Sequence, residues 1–257
     1  METPQFADIQ TCLTLSQIVY LSDIHAETET LAEGFSSVTH VGNGGPHAMV
    51  CESETDVFVV VRGTERDDWK DLVADGRAWP EPSGVGGRVH KGIYLHALQL
   101  TPLLELVQTT TKRLTFTGHS LGGAAACHLA FKAGQFRTAH DLALPHLVLI
   151  GSPRIGTRKF CHAVSKHSAS VTRLINHRDV VPLCIPGYFH PPGKVLHCNR
   201  FGLWVTNPTW RQRFEDRAKG WAGSLTAALW AVVTHLFPLE SHAIDTYGRQ
   251  WSRRVDV

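Results

Sequence analysis

Ser120 stands at the centre of Gly118-His119-Ser120-Leu121-Gly122, a G-x-S-x-G pattern followed by Gly123. Ahead of it, Leu114 and Phe116 among threonines predict a short buried strand. Behind it, the Ala- and Leu-rich stretch from Leu121 to Lys132 predicts a helix. A serine between a strand and a helix, with glycine two positions away on each side, suits nucleophilic attack on an acyl carbon. The chain must turn so tightly there that the serine adopts strained backbone, and a Cβ at either glycine would strike a neighbouring element. In return the hydroxyl stands above the sheet edge, beside N–H groups at a helix start that face developing negative charge.

A serine hydroxyl is a weak nucleophile near neutral pH. It needs a base within hydrogen-bond reach and a third group to orient that base. In strand–serine–helix sites of this type the acid follows the serine and the histidine comes last. Among the later acids, Asp141 precedes its strand and Asp216 lies in an Arg-rich helical stretch. Asp179 directly follows the apolar strand Val171–Ile175, at the strand end where catalytic groups gather in open α/β sheets. The histidines after it are His190, His197, His235 and His242. His242 follows the break at Pro238 and opens a last helix, which favours it as a loop-held base; residue order alone leaves the others open.

The elements that must position these residues can be read from periodicity. Phe6 to Tyr20 has the spacing of an amphipathic helix. His47–Glu52 and Asp56–Val61 read as strands joined at Glu54-Thr55, and the continuous run Val57–Val61 suits a strand buried on both faces. Asp67–Asp75 reads as a short helix with Trp69, Leu72 and Val73 on one face. Trp79–Arg88 is Pro- and Gly-rich and reads as loop, and a helix from His90 to about Thr110 leads into the serine strand. Beyond the serine come a strand at His146–Ile150, a helix at Thr157–Lys166, the Val171–Ile175 strand and a hairpin of Lys194–His197 with Phe201–Thr206 through Cys198-Asn199-Arg200. The apolar stretch Trp221–Phe237 reads first as core, with a lipid surface or acyl pocket as the other use of such a face. Strands alternating with helices predict an α/β fold, a mostly parallel sheet covered on both faces, in one domain spanning 1–257.

Composition excludes several classes. With 43% hydrophobic and 19% charged residues, the chain can bury a core and is not disordered. A net charge of +2 with scattered Lys and Arg gives no nucleic-acid stripe. There is no apolar run of the ~18 residues a membrane span needs. The start, Met1-Glu2-Thr3-Pro4, has no secretory-signal character, so the expectation is a cytoplasmic chain or one exported by another route. None of the six cysteines is in C-x-x-C spacing, which favours buried thiols over a disulfide framework. The sixteen histidines include no H-E-x-x-H, so no metal site is expected.

Several segments in order resemble the fungal-type class 3 lipases, α/β-hydrolases of the Rhizomucor lipase type. They are Val61-Arg62-Gly63-Thr64, then Asp68-Trp69-Lys70-Asp71-Leu72, Val89–Ile93, Thr117–Gly123, Gly151–Gly156, Arg173–Pro182, and His242 with Tyr247. The resemblance implies an α/β-hydrolase fold and a serine carboxylic-ester hydrolase without metal or organic cofactor. It implies Ser120 as nucleophile, Asp179 as orienting acid and His242 as base, with an oxyanion hole from Leu121 and Thr64. It makes the segment at about 66–75 a lid helix, with Trp69, Leu72 and Val73 at the acyl pocket; an ordinary surface helix is the plainer alternative. This segment is unusually polar for a lid. The implied partner is a lipid or ester, with transient contact at a lipid interface; nothing in the sequence fixes an oligomeric state. Short-chain esterase, phospholipase and acyltransferase activities share the same machinery, and a silent binding scaffold is the non-enzymatic alternative.

Overall fold

The five residues from Val57 to Val61 alternate between two cores. Val57, Val59 and Val61 join one apolar cluster, while Phe58 and Val60 join the other. This strand is therefore buried on both faces, as its unbroken apolar run requires. The computed structural model describes residues 6–42, 46–63, 80–83, 87–222 and 242–252.

The elements in order are α1 (Phe6–Ile18), α2 (Asp23–Ala32), β1 (Ser37–Val41), β2 (Ala48–Glu52), β3 (Asp56–Val61), β4 (Pro80–Pro82) and β5 (Arg88–His90). Next come α3 (Lys91–Gln99), α4 (Leu103–Val107), β6 (Arg113–His119), α5 (Leu121–Ala139), β7 (His146–Ile150), α6 (Arg158–Lys166) and β8 (Ser170–Asn176). A 3-10 turn at Val181–Leu183, β9 (Lys194–Cys198), β10 (Trp204–Thr206), α7 (Trp210–Ala222) and α8 (Ile244–Ser252) complete the described chain.

Eight strands form one sheet in the order β1-β2-β3-β6-β7-β8-β9-β10. The five central strands, β3 through β9, run parallel, and antiparallel strands flank them on both edges. One face packs on residues of α3, α4, α5 and α6, including Ile93, Leu103, Leu129 and Phe160. The other packs on Ile9, Leu13 and Leu15 of α1 and on Tyr247 and Trp251 of α8. Because the central strands are parallel, their carboxyl ends lie along one edge of the sheet. That edge carries Gly63, Ser120, Gly151 and Asp179.

Several expectations need correction. The Pro- and Gly-rich stretch is not all loop: Pro80–Pro82 pairs antiparallel with Arg88–His90 as a two-stranded ribbon. Prolines are tolerated on so short an edge. The helix expected from His90 to about Thr110 stops at Gln99 and resumes at Leu103, because Pro102 has no N–H to give and disfavours helix in the residue before it. The hairpin partner of β9 starts at Trp204 instead of Phe201, since the Asn199 side chain accepts the N–H groups of Phe201 and Leu203 and makes that stretch a turn. The helix Asp23–Ala32 and the strand Ser37–Val41 had no expectation at all. The expected lid helix at about 66–75 and most of the apolar stretch 221–237 lie outside the described residues.

Candidate active site

The nucleophile position is built by steric exclusion. Ser120 lies between β6 and α5 with φ 58° and ψ −128°, a conformation that costs a non-glycine residue about 1–3 kcal/mol. Its N–H donates to the Ile150 carbonyl at 2.9 Å, tying the turn to β7. A Cβ at Gly122 would fall 2.1 Å from the Val61 carbonyl oxygen, and one at Gly118 would fall 2.6 Å from the Gly122 carbonyl carbon. The strand and helix approach this closely only without those side chains. Leu121 is the first residue of α5, so its N–H has no acceptor within the helix.

Three of the expected side chains meet here. His242 Nε2 lies 2.8 Å from Ser120 Oγ, and His242 Nδ1 lies 2.9 Å from Asp179 Oδ2. The carboxylate only accepts, so Nδ1 carries the proton and Nε2 presents its lone pair to the serine O–H. Ser120, Asp179 and His242 are all buried, Asp179 completely. Asp179 Oδ1 accepts the Val181 N–H at 2.9 Å, so both carboxylate oxygens are occupied.

Two supporting residues had no assigned role. Tyr247 donates its hydroxyl to Asp179 Oδ2 in a short hydrogen bond and accepts the Asn176 N–H at 3.0 Å. Burial, with the neighbouring carboxylate, pushes the Tyr247 phenol well above its usual range, so it stays a proton donor. His119 lies against His242 with its ring tilted 32°, ring centroids 4.6 Å apart. Its Nε2–H donates to the His242 carbonyl at 2.6 Å, and its Nδ1 takes the Tyr20 hydroxyl at 3.3 Å. Burial first, and then His242 itself, hold its pKa well below the histidine range. A neutral ring thus braces His242 without placing a second positive charge beside it. His119 lay within the serine motif, but its pattern position says nothing of where the ring turns. Gly151, with φ +55°, completes the packing: a Cβ there would meet Asp179 Oδ2 at 2.8 Å and His242 Cε1 at 3.2 Å.

The competing candidates have other partners. His190 donates from Nε2 to the Pro182 carbonyl at 2.9 Å. His197 pairs with Asp216 at 3.0 Å, so an alternative base and an alternative acid are occupied with each other. His235, Thr64, Trp69, Leu72 and Val73 lie outside the described residues. All six cysteines are free thiols, and burial raises every one of them, Cys12 to about 12. Among the described residues, Asp23, His40 and His47 bring donor atoms within 4.8 Å of one another, a grouping that linear spacing did not reveal. The two imidazoles there are hydrogen-bond partners at 3.2 Å, which accounts for their approach without an ion.

The sheet order, the strained serine after the central strand and the Ser–His–Asp contacts define an α/β-hydrolase. The profile of the family described as Lipase (class 3) matches residues 58–189, just over half of the chain, and the chain belongs to that family. A lipase of Rhizomucor miehei is 31% identical over 171 residues, covering 63% of this chain and 45% of that protein. Phospholipase A1-II 3 of Oryza sativa subsp. japonica is 27% identical over 187 residues, covering 60% of this chain and 44% of that protein. The chain thus spans less than half the length of these curated relatives. Among solved structures, a fungal lipase–inhibitor complex superposes with TM-score 0.60 at 23% identity over 74% of this chain and 79% of that one. Lipase II from Rhizopus niveus gives 0.61 at 21% identity over 76% and 82%. At these identities the likeness is one of fold.

Proposed function

We propose that this protein is a serine carboxylic-ester hydrolase, most naturally a lipase acting on acylglycerols through an acyl-enzyme. The observation that carries the reading is the unbroken chain of contacts from Ser120 Oγ through His242 to Asp179. Ser120 Oγ attacks the ester carbonyl as its proton passes to His242 Nε2. Asp179 holds the imidazole in the tautomer that accepts and offsets the positive charge that forms. The tetrahedral oxyanion rests on the Leu121 N–H and, by the family resemblance, on Thr64. His242 then protonates the leaving alcohol, and a water activated by His242 releases the acid and restores Ser120. The residues at about 66–75, with Trp69, Leu72 and Val73, act as a lid over the acyl pocket.

Phospholipase activity is the second reading. Matches to phospholipases A1 support it, and the reaction at Ser120 would be the same. The test is a p-nitrophenyl ester series from acetate to palmitate, alongside an acylglycerol and a phospholipid, with and without an oil interface. The proposal expects turnover that favours long chains, rises at the interface and disappears in Ser120→Ala. A rate that peaks at acetate and ignores the interface replaces lipase with esterase. Folded protein with no turnover of any ester overturns both.

A further inference from the structure

Outside the serine site, α7 lies beside the segment that follows β8, tied to it through Arg217, and carries an unusual stripe. Trp210, Arg213, Phe214 and Arg217 fall at i, i+3, i+4 and i+7, the positions that normally carry an apolar stripe. Here two of the four are arginines. With Arg154 and Arg173 they line a cavity of about 600 Å³ that also includes His190. The rest of the lining is apolar, and no Asp or Glu lines it. The volume is in the range of small-molecule sites, commonly about 300–1,000 Å³.

The charges are the informative feature. Arg217 has acceptors, the backbone carbonyls of His177 and Asp179 at 3.1 Å each. Among the described residues, Arg154, Arg173 and Arg213 form no salt bridge, and Arg173 Nε is buried without any hydrogen-bond partner. Burial, followed by repulsion from Arg213, lowers the Arg173 pKa to about 10, so the guanidinium is still charged at neutral pH. Holding a half-buried guanidinium with its Nε shut off from both water and any acceptor is costly, and a methionine or leucine would fill the space more cheaply. Trp210 and Phe214 remain 73% and 63% exposed, offering apolar surface at the same place.

We infer that this cavity is a binding site for the oxyanion head of an amphiphile, a phosphate or carboxylate carrying an alkyl chain. Arg154, Arg173 and Arg213 hold the head, and the apolar lining with Trp210 and Phe214 takes the chain. Guanidinium forks suit both oxyanions, and the two sources are a lipid phosphate and a released fatty acid. The site does not use the Ser120 hydroxyl, so it stands or falls separately from ester hydrolysis.

Titration calorimetry on the Ser120→Ala protein tests this without turnover. The probes are dodecyl phosphate, dodecanoate, dodecanol and inorganic phosphate, each below its micelle concentration where one applies. The site predicts one equivalent of a dodecyl oxyanion per chain, with dodecanol and inorganic phosphate each at least about tenfold weaker. The tighter of the two oxyanions identifies the source. Arg154→Gln and Arg213→Gln, at the rim, should each weaken binding about tenfold. Arg173→Met should abolish binding, while raising the melting temperature by about 2–4 °C because a half-buried unpaired charge is gone. Dodecanol binding as tightly as the anions, or oxyanion binding unchanged in the two rim variants, would overturn the inference.

Discussion

At Asp179 every side-chain oxygen has work to do, and the consequences of removing each donor differ. Asp179→Asn keeps the shape but loses the acceptor that fixes the His242 tautomer, so kcat should fall about 10⁴-fold with little change in KM. Tyr247→Phe removes one of the donors that hold Asp179 Oδ2 in place. Losing one hydrogen bond to a charged group should lower kcat about tenfold, leaving the circular dichroism spectrum unchanged. His119 acts through another residue, since it touches the backbone and ring of His242. His119→Phe keeps a ring but not the hydrogen bond to the His242 carbonyl. It should lower kcat while KM stays within about twofold, because the base is displaced and the substrate surfaces are untouched. An equal loss in KM would reassign His119 to substrate binding.

At the scale of elements, the strand–serine–helix turn is held by what its glycines lack. Gly122→Ala would set a methyl 2.1 Å from the Val61 carbonyl oxygen, and backbone cannot yield as a flexible side chain would. We expect a loss of about 3 kcal/mol or more in denaturant unfolding, with the serine displaced. Gly151→Ala presses instead on Asp179 and His242 from a left-handed backbone position, and should cut kcat more than it cuts stability. This is also where the sequence was most and least informative. β3 and β7 were legible because each is apolar on both faces, and the turn was legible because steric need leaves glycine at fixed offsets. Asp179 was legible from its place at a strand end, whereas order alone left His242 open against His190, His197 and His235 and only the family resemblance singled it out. Tyr247 and His119 were not assignable, because their partners lie 68 and 123 residues away and no local pattern encodes a contact of that kind. The start of β10 was misplaced for a similar reason: a side-chain acceptor, Asn199, decided it. The arginines of α7 read only as an Arg-rich helical stretch, because β8 and its following loop supply the other half of their surroundings.

Across the whole molecule, the histidines make stability depend on acid. Burial lowers His128 to about 3, with Lys132 and His90 adding to the effect, and lowers His190 to about 3 and His96 and His177 to about 4. In the unfolded chain each would titrate near ~6.5. The folded pKa values are the depressed ones, so below pH ~6.5 the unfolded state takes up protons that the folded state refuses. Stability is therefore full above pH ~6.5 and falls as the pH drops toward the folded values. His128 is 3% exposed, and at pH 5 it alone should contribute a loss of about 2 kcal/mol. Urea titrations at pH 7 and pH 5 check this. His128→Phe, packed against Tyr94 and stacked on Phe160 as the imidazole is, should be less sensitive to that pH change than the parent. A parent protein equally stable at both pH values would contradict the assignment of these rings as neutral in the fold.

The central claim is that Ser120 is made nucleophilic by His242 and Asp179. The most direct measurement is the rate at which a fluorophosphonate labels the folded protein, with the modified residue read by mass spectrometry. The account predicts one label per chain on Ser120, formed at least about 10³-fold faster than in His242→Ala, which retains the serine but lacks its base. Label on a different residue, or a rate at Ser120 that His242→Ala leaves unchanged, would contradict it.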